Sequence, residues 1–468
     1  MKKNAVFLLP VILLLVLLST ACGGSDDSEG SDGDILPDGD SEDAIEDSED
    51  SDGDIENTEI DGDAENGRDD DTESEPARRL VDYVNPFMGT GGRGFMVGSS
   101  TPAATAPFGM VKVGPDTTAE TGAPSFYHCS GYFYEDDRII GFSHTHMHGT
   151  GIPDYGHIMF QPLVGLDENS TNPRFYKRQF SKEDEYASPG YYAVKLDNGV
   201  NVELTAREHS AHHRYAYPEG TGENAYVLID LTHGAEEDYI EDSEITVDAA
   251  KREVYGWVFS KGSFSSRYGG QYVYFAARFK QDFSDWGTWK DWDLFPQAAT
   301  QRGEVTGAYF GFASEASTPV EAQVGISFIS VEQARLNLET EMTDWDFDAA
   351  RLETENYWER ELSRIDARSD DEETLRIFYS SLYHAYQMPT LFTDVNGKYL
   401  GFDDQVHDAE GFRYYTDFSL WDTYRTLHPL LILVQPERQL DMVKSLIKMY
   451  EQGGGFPKWP MGNGYSNC

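Results

Sequence analysis

Residues 190–217 read GYYAVKLDNGVNVELTAREHSAHHRYAY. Three runs, GYYAVKL, NVELTARE and AHHRYAY, alternate apolar or aromatic side chains with polar ones, and turns separate them. Successive side chains on an extended backbone point to opposite faces, so a period of two predicts half-buried strands. The same texture continues outward on both sides. It recurs in GMVKVGP (109–115), RIIGFSH (138–144), AYVLIDL (225–231), EVYGWVFS (253–260), QYVYFAARF (271–279), AYFGFA (308–313) and VEAQVGISFIS (320–330). About ten or more such strands between Val81 and Ser330 predict an antiparallel β-sandwich.

From about Thr340 the period changes. Trp345–Ile365 and Asp370–Gln387 read as amphipathic helices, the second with Leu375, Phe378, Leu382 and Ala385 on one stripe. Phe418–Val434 and Glu437–Glu451 are further predicted helices, with Pro436 suited to a first turn and Gly453 to a stop. No internal repeat is present. A chain of 468 residues has room for about two or three domains. The expected division is residues 1–22 a signal ending in a lipidated cysteine, 23–79 an acidic tether, 80–335 the sandwich, 336–368 a helical linker and 369–468 a helical domain.

The formal charge is −47, but it is unevenly spread. Gly23–Pro76 holds 25 Asp/Glu against the single basic residue Arg68. That run has too little apolar surface to fold and reads as a disordered spacer. Concentrated Lys and Arg are missing, which argues against nucleic acid as a partner. Ahead of the spacer, Lys2 and Lys3 precede the apolar run Ala5–Leu18 and then Ser19-Thr20-Ala21-Cys22. This pattern is a secretory signal, and the cysteine after small residues resembles a bacterial lipobox, making Cys22 the expected lipidation site. Gly23 in place of an Asp favours the outer membrane of a bacterial envelope. Cys129 and Cys468 are the remaining thiols, and sequence alone does not place them within bonding distance.

Tyr415–Pro429, YTDFSLWDTYRTLHP, is built to hold a polar ring. Trp421 offers a face for stacking, Asp422 accepts hydroxyl hydrogen bonds and Arg425 supplies a fork of donors. On a continuous helix Trp421 and Arg425 share a face, with Asp422 about 100° round. The alternative is a core Trp with a flanking Asp–Arg pair. His144, His146 and His148 form a second constellation. At period two their rings fall on one strand face, a spacing that can ligate zinc, with His128 or His157 as a fourth ligand. Lining of the cleft between the two domains, or plain packing, are the other readings.

Several blocks then point to one family. They include VNPFMGT (84–90), APFGMV (106–111) with GPDT (114–117), GFSHTH (141–146), GTG (149–151) and DYG (154–156). GISF (325–328), ARLNL (334–338), Tyr415–Pro429, PKWP (457–460) and NGY (463–465) continue in order. The chain resembles glycoside hydrolase family 92, the calcium-dependent exo-acting α-mannosidases of bacteria. The resemblance implies a β-sandwich packed on an (α/α)6 barrel that this chain begins and that is truncated at Cys468. It also implies an inverting mechanism, most often on α-1,2 linkages of mannose-containing glycans. Its general acid (a Glu), general base (an Asp) and calcium ligands are expected beyond Cys468, so the catalytic and metal residues of this chain are unknown and the chain alone is expected to be inactive. By the same resemblance Asp422 would bind the terminal mannose, Trp421 and Trp459 would wall it, Arg425 would orient Asp422, and His144 and His146 would line the cleft. The loop GGRGFMVGSSTPAA (91–104) and the insert Phe126–Gly131 depart from the family, as does His148, where a small or acidic residue is expected. Two other functions are compatible with the sequence. One is a non-catalytic glycan-binding surface lipoprotein; the other is a glycoside phosphorylase of similar architecture.

Overall fold

The computed structural model describes residues 78–92, 99–119, 126–235, 238–314 and 318–467. The signal, Cys22, the acidic segment and Cys468 therefore lie outside the described residues. Seventeen strands form a connected antiparallel network that folds as two ladders. One ladder runs in the order Lys112–Thr118, Arg138–Ser143, Met159–Val164, Gly222–Asp230, Thr306–Ser314, Asp285–Lys290, Asp293–Pro296. The other contains Tyr191–Leu196, Asn201–Ala206 and Ser210–Ala216, then Val320–Ser327, Gln271–Phe279, Glu253–Lys261, Tyr239–Asp248 and Thr300–Gly303. Arg178–Ser188 belongs to both, because its register shifts between Phe180 and Glu185 and lets it bend from one ladder to the other.

The alternation read in residues 190–217 decides which faces meet. Tyr192 pairs with Leu204 and Val194 with Val202, all buried. Across the gap Tyr192 meets Phe142 of the facing ladder at 6.4 Å between ring centroids. Phe160 packs likewise on His213 at 5.1 Å and on Phe279 at 6.5 Å, which completes an apolar layer between the sheets.

Helix Val331–Glu341 follows directly and lies on the outer face of the second ladder, entered through Ser330, whose hydroxyl accepts from Gln333 N–H. Helix Phe347–Leu362 begins at the cap Asp346 and ties the parts together through Trp358, whose indole donates to Thr105 O at 2.7 Å. Helix Glu372–Ala385 is capped by Asp371. Its most buried apolar positions are Tyr379, Leu382 and Tyr383, so the apolar stripe is rotated from the expected one and Leu375, Phe378 and Ala385 form its partly buried edges.

The predicted helix Phe418–Val434 is two pieces, Leu420–Thr423 and Leu427–Val434. Pro429 cannot donate to a preceding turn, so it sits in the first turn of a new helix rather than inside an old one. Helix Pro436–Gly453 follows, stopped by Gly454 in the left-handed region at φ 84°. Three two-stranded ladders stand among these helices. Arg78–Cys468 makes one compact unit, sewn at the junction by Phe108 N–H donating to Tyr386 O and Leu391 N–H donating to Phe108 O.

Candidate active site at the sandwich–helix junction

A cavity of about 420 Å³ opens where these parts meet. The loop after strand Arg138–Ser143 contributes His148, Gly149 and Thr150; helix Glu372–Ala385 contributes Ser381 and His384; the segment before helix Leu420–Thr423 contributes Asp417 and Ser419, and that helix contributes Asp422. Asp417 is buried and holds φ at +59°, a left-handed conformation that an Asp tolerates better than most side chains. Its Oδ1 accepts from Tyr155 O–H and from Gly462 N–H, both at 3.1 Å. Burial pushes this carboxyl above its ordinary value, while Thr390 and the charge of Lys112 pull it back. Lys112 is buried too, donating to Gly109 O at 3.1 Å and Thr390 Oγ1 at 3.3 Å, and desolvation lowers it to about 8.

Asp422 differs. It is exposed to the cavity, its Oδ2 takes the Ser419 hydroxyl, and its Oδ1 is open to a ligand. Opposite stands a stacked imidazole pair, His148 on His384, with ring centroids 4.9 Å apart and His384 Nδ1 at 3.1 Å from His148 Nε2. Desolvation lowers both, His384 to about 4, so the two rings are neutral and share a hydrogen bond. Nδ1 of the buried His148 has no partner among the described residues. Buried polar atoms are normally satisfied, so an open carboxylate and an orphaned ring nitrogen in one cavity mark a ligand site.

The structure sends the other singled-out residues elsewhere. Trp421 is 63% exposed and does not line this cavity. The short helix ends at Thr423, so Trp421 and Arg425 do not share a helical face; Arg425 donates to Tyr424 O–H at 2.6 Å and not to Asp422. Trp459 is buried against Phe264 of the sandwich, centroids 5.5 Å apart, and its hairpin supplies Gly462 to Asp417.

The three histidines do not form a zinc-binding face, because the strand ends at Ser143 and the loop turns each ring to a different partner. His144 bonds Ile158 O and His213 between the sheets, at 2.6 and 2.9 Å. His146 bonds Lys112 O at 2.7 Å and Asp116 at 2.9 Å. Only His148 reaches the cavity. His128 lies 2.5 Å from Asp136 and His157 2.9 Å from Asp238, and neither joins a metal-holding cluster among the described residues. Cys129 is buried, and Cys468, the other remaining thiol, is outside the described residues.

A larger groove, about 610 Å³, runs past Glu208, Glu341 and Arg413. Its charges already satisfy one another: Arg413 clamps Glu208 at 2.6 and 3.0 Å. Glu208, His209 and Glu341 also lie close enough to hold a cation. However, His209 donates from Nδ1 to Glu341 at 2.6 Å and from Nε2 to Thr393 O at 2.7 Å, leaving no lone pair for a metal. Calcium takes about six to eight oxygen ligands. No cluster among the described residues fits it: the carboxylates near the cavity are engaged by protein donors or stand singly.

Comparison with known proteins settles the lineage. Residues 83–327 match the glycosyl hydrolase family 92 N-terminal domain and residues 333–468 its catalytic domain. The chain belongs to glycoside hydrolase family 92. A family 92 α-mannosidase from Bacteroides thetaiotaomicron is 33% identical, with a TM-score of 0.76 over 84% of this chain and 53% of that one. A family 92 inverting mannosidase from the same species is 30% identical, with a TM-score of 0.75 over 84% of this chain and 51% of that one. An uncharacterized secreted glycosidase of Arthroderma benhamiae is 30% identical over 354 residues, 68% of this chain and 42% of the fungal protein. The family 92 chain thus spans about half the length of these relatives.

Of the cavity's residues, Asp422 was visible in the sequence as part of a Trp-Asp pair, and His148 as a departure from the family pattern. Asp417 and His384 were not singled out. Five residues before Asp422 in the same polar-aromatic stretch was the only signal for Asp417; His384 lies on a helix whose apolar stripe masks it.

Proposed function

We propose that this chain carries the sandwich and catalytic-domain residues of an inverting exo-α-mannosidase that removes α-1,2-linked mannose from glycans. The observation that carries the reading is the open carboxylate of Asp422 in a 420 Å³ cavity at the sandwich–helix junction of a family 92 chain. Support comes also from the Bacteroides thetaiotaomicron mannosidase crystallised with mannoimidazole, a molecule that keeps a mannose-like ring. Asp422 accepts hydrogen bonds from sugar hydroxyls and Ser419 fixes its orientation. These groups bind and orient; proton transfer at the scissile oxygen is not assigned to them. The N-terminal cysteine Cys22 carries a lipid, and the acidic segment holds the folded unit off an outer membrane.

Calorimetric titration with mannoimidazole tests the pocket: the wild type binds it, Asp422→Asn binds it about tenfold or more weakly, and equal binding by the two overturns the reading. Release of mannose first as the β-anomer from α-1,2-mannobioside, stopped by EDTA, would show that the chain is also active by itself, whereas a requirement for phosphate would favour a phosphorylase. Palmitate labelling that persists in Cys22→Ser would remove the anchor from the reading.

A further inference from the structure

Close to the cavity lies a buried lysine that the reading above leaves without work. Lys112 is 1% exposed, and a lysine so deep is rare unless its charge is met. Its Nζ donates to Gly109 O at 3.1 Å and to Thr390 Oγ1 at 3.3 Å. The carboxylate whose charge it feels, Asp417, is reached through Thr390, whose hydroxyl bonds that carboxylate. An ammonium can only donate, so the Thr390 hydroxyl accepts from Lys112 and gives its single proton to Asp417. The two bonds run in one direction and polarise each other.

Asp417 gathers further segments at the cavity it lines. Its Oδ1 takes Tyr155 O–H from the sandwich and Gly462 N–H from the last hairpin. Thr390 pairs with Thr416, the residue before Asp417. Two residues after Asp417, Ser419 gives its hydroxyl to Asp422. Stability alone does not account for such an arrangement. Burying two charges costs desolvation that their attraction only partly offsets, and apolar side chains of similar volume often hold a fold as well. Apolar side chains cannot, however, fix a carboxylate on the left-handed backbone at Asp417 beside the residues that line the cavity.

We propose that Lys112 is a positioning residue: acting through Thr390 it holds Asp417, and so sets Ser419 and Asp422 for the terminal sugar. This rests on the pocket reading above. Without its proton, Lys112 leaves Asp417 a bare buried charge, which the protein relieves by turning the side chain or admitting water, and the segment 417–422 loses its hold. Burial pushes Lys112 down to about 8, so the loss falls between pH 7 and 9. The titratable groups around it are Asp417, Tyr155, His148 and His146, whose Nδ1 bonds Lys112 O, with Asp116 further along its strand. Burial holds His148 well below that window and Tyr155 well above it. His209, bonded to Thr393 O and raised to about 9, is the nearby group to control for.

Calorimetric titration with mannoimidazole from pH 7 to 9 tests the proposal. The wild type weakens by about fivefold or more across this span, the lower end of ordinary coupling between linked sites. Lys112→Met binds at pH 7 as weakly as the wild type at pH 9 and weakens no further, whereas His209→Gln keeps the wild-type fall. Thr390→Val, which cuts the link and leaves the charge, also binds weakly at pH 7. The ligand's own titration is common to every protein and cancels in the comparison. Circular dichroism at each pH shows that the proteins are folded; should Lys112→Met not fold, the wild-type profile and Thr390→Val decide. A lysine with a purely structural role would lower the melting temperature and leave the binding profile flat. A flat wild-type profile, or an equal fall in Lys112→Met, overturns the proposal and leaves the pocket reading standing. A wild type that binds no mannoimidazole at any pH overturns both.

Discussion

Asp417 and Asp422 sit five residues apart, the first before the short helix Leu420–Thr423 and the second in it, yet their surroundings give them different work. Asp417 is enclosed, strained in backbone and opposed by the buried ammonium of Lys112. Asn tolerates the same left-handed backbone, so Asp417→Asn removes charge with little steric change. It is expected to lower stability by about 1–3 kcal/mol in urea denaturation, since Lys112 then stays buried without its counter-charge. Asp422 is exposed, so Asp422→Asn should leave stability within about 0.5 kcal/mol. The same change should weaken binding of a mannose analogue by about tenfold or more in calorimetric titration, because a charged acceptor is lost. The reverse pattern would exchange the two roles.

At the level of elements, close approach decides what the hydrophobic period leaves open. Helix Val331–Glu341 can lie on strand Val320–Ser327 because Gly325 has no side chain; a Cβ there would overlap Ala334 O and stand 2.7 Å from Leu338 Cβ. Gly325→Ala is expected to lift the helix and cost about 1–3 kcal/mol, read as a lowered melting temperature. The break between Leu420–Thr423 and Leu427–Val434 has a similarly local origin, in Pro429, and Trp421 on the first piece is exposed. Amphipathic spacing legible across residues 418–434 could not reveal it, since one missing backbone donor outweighed the pattern.

At the scale of the whole molecule, His209 is a pH-sensitive link. It joins the strand region, helix Val331–Glu341 and the Thr393 loop through two donated bonds. Burial alone would lower it, but Glu341 and Glu208 raise it to about 9. Between the unfolded value of about 6.5 and the folded value, the native state holds the extra proton, so stability falls as pH rises through that window. The loss approaches about 3 kcal/mol by pH 9. The mostly buried His233, raised by the charge of Asp116, adds to the decline in the same direction, and Lys112 acts oppositely above pH 8, where unfolding takes up a proton. Urea midpoints from pH 6.5 to 8 should therefore decline more steeply in the wild type than in His209→Gln.

Period-two alternation in residues 190–217 and its neighbours determined the strands, and blocks such as GFSHTH and the Trp-Asp pair determined the lineage, because both are local in the chain. What met across the gap was another matter. His144, His146 and His148 occupy one short run but end in three environments, and His148 finds His384 236 residues away. Only the folded chain, by closing long loops around buried polar atoms that must be paired, chose which of these side chains faces the cavity.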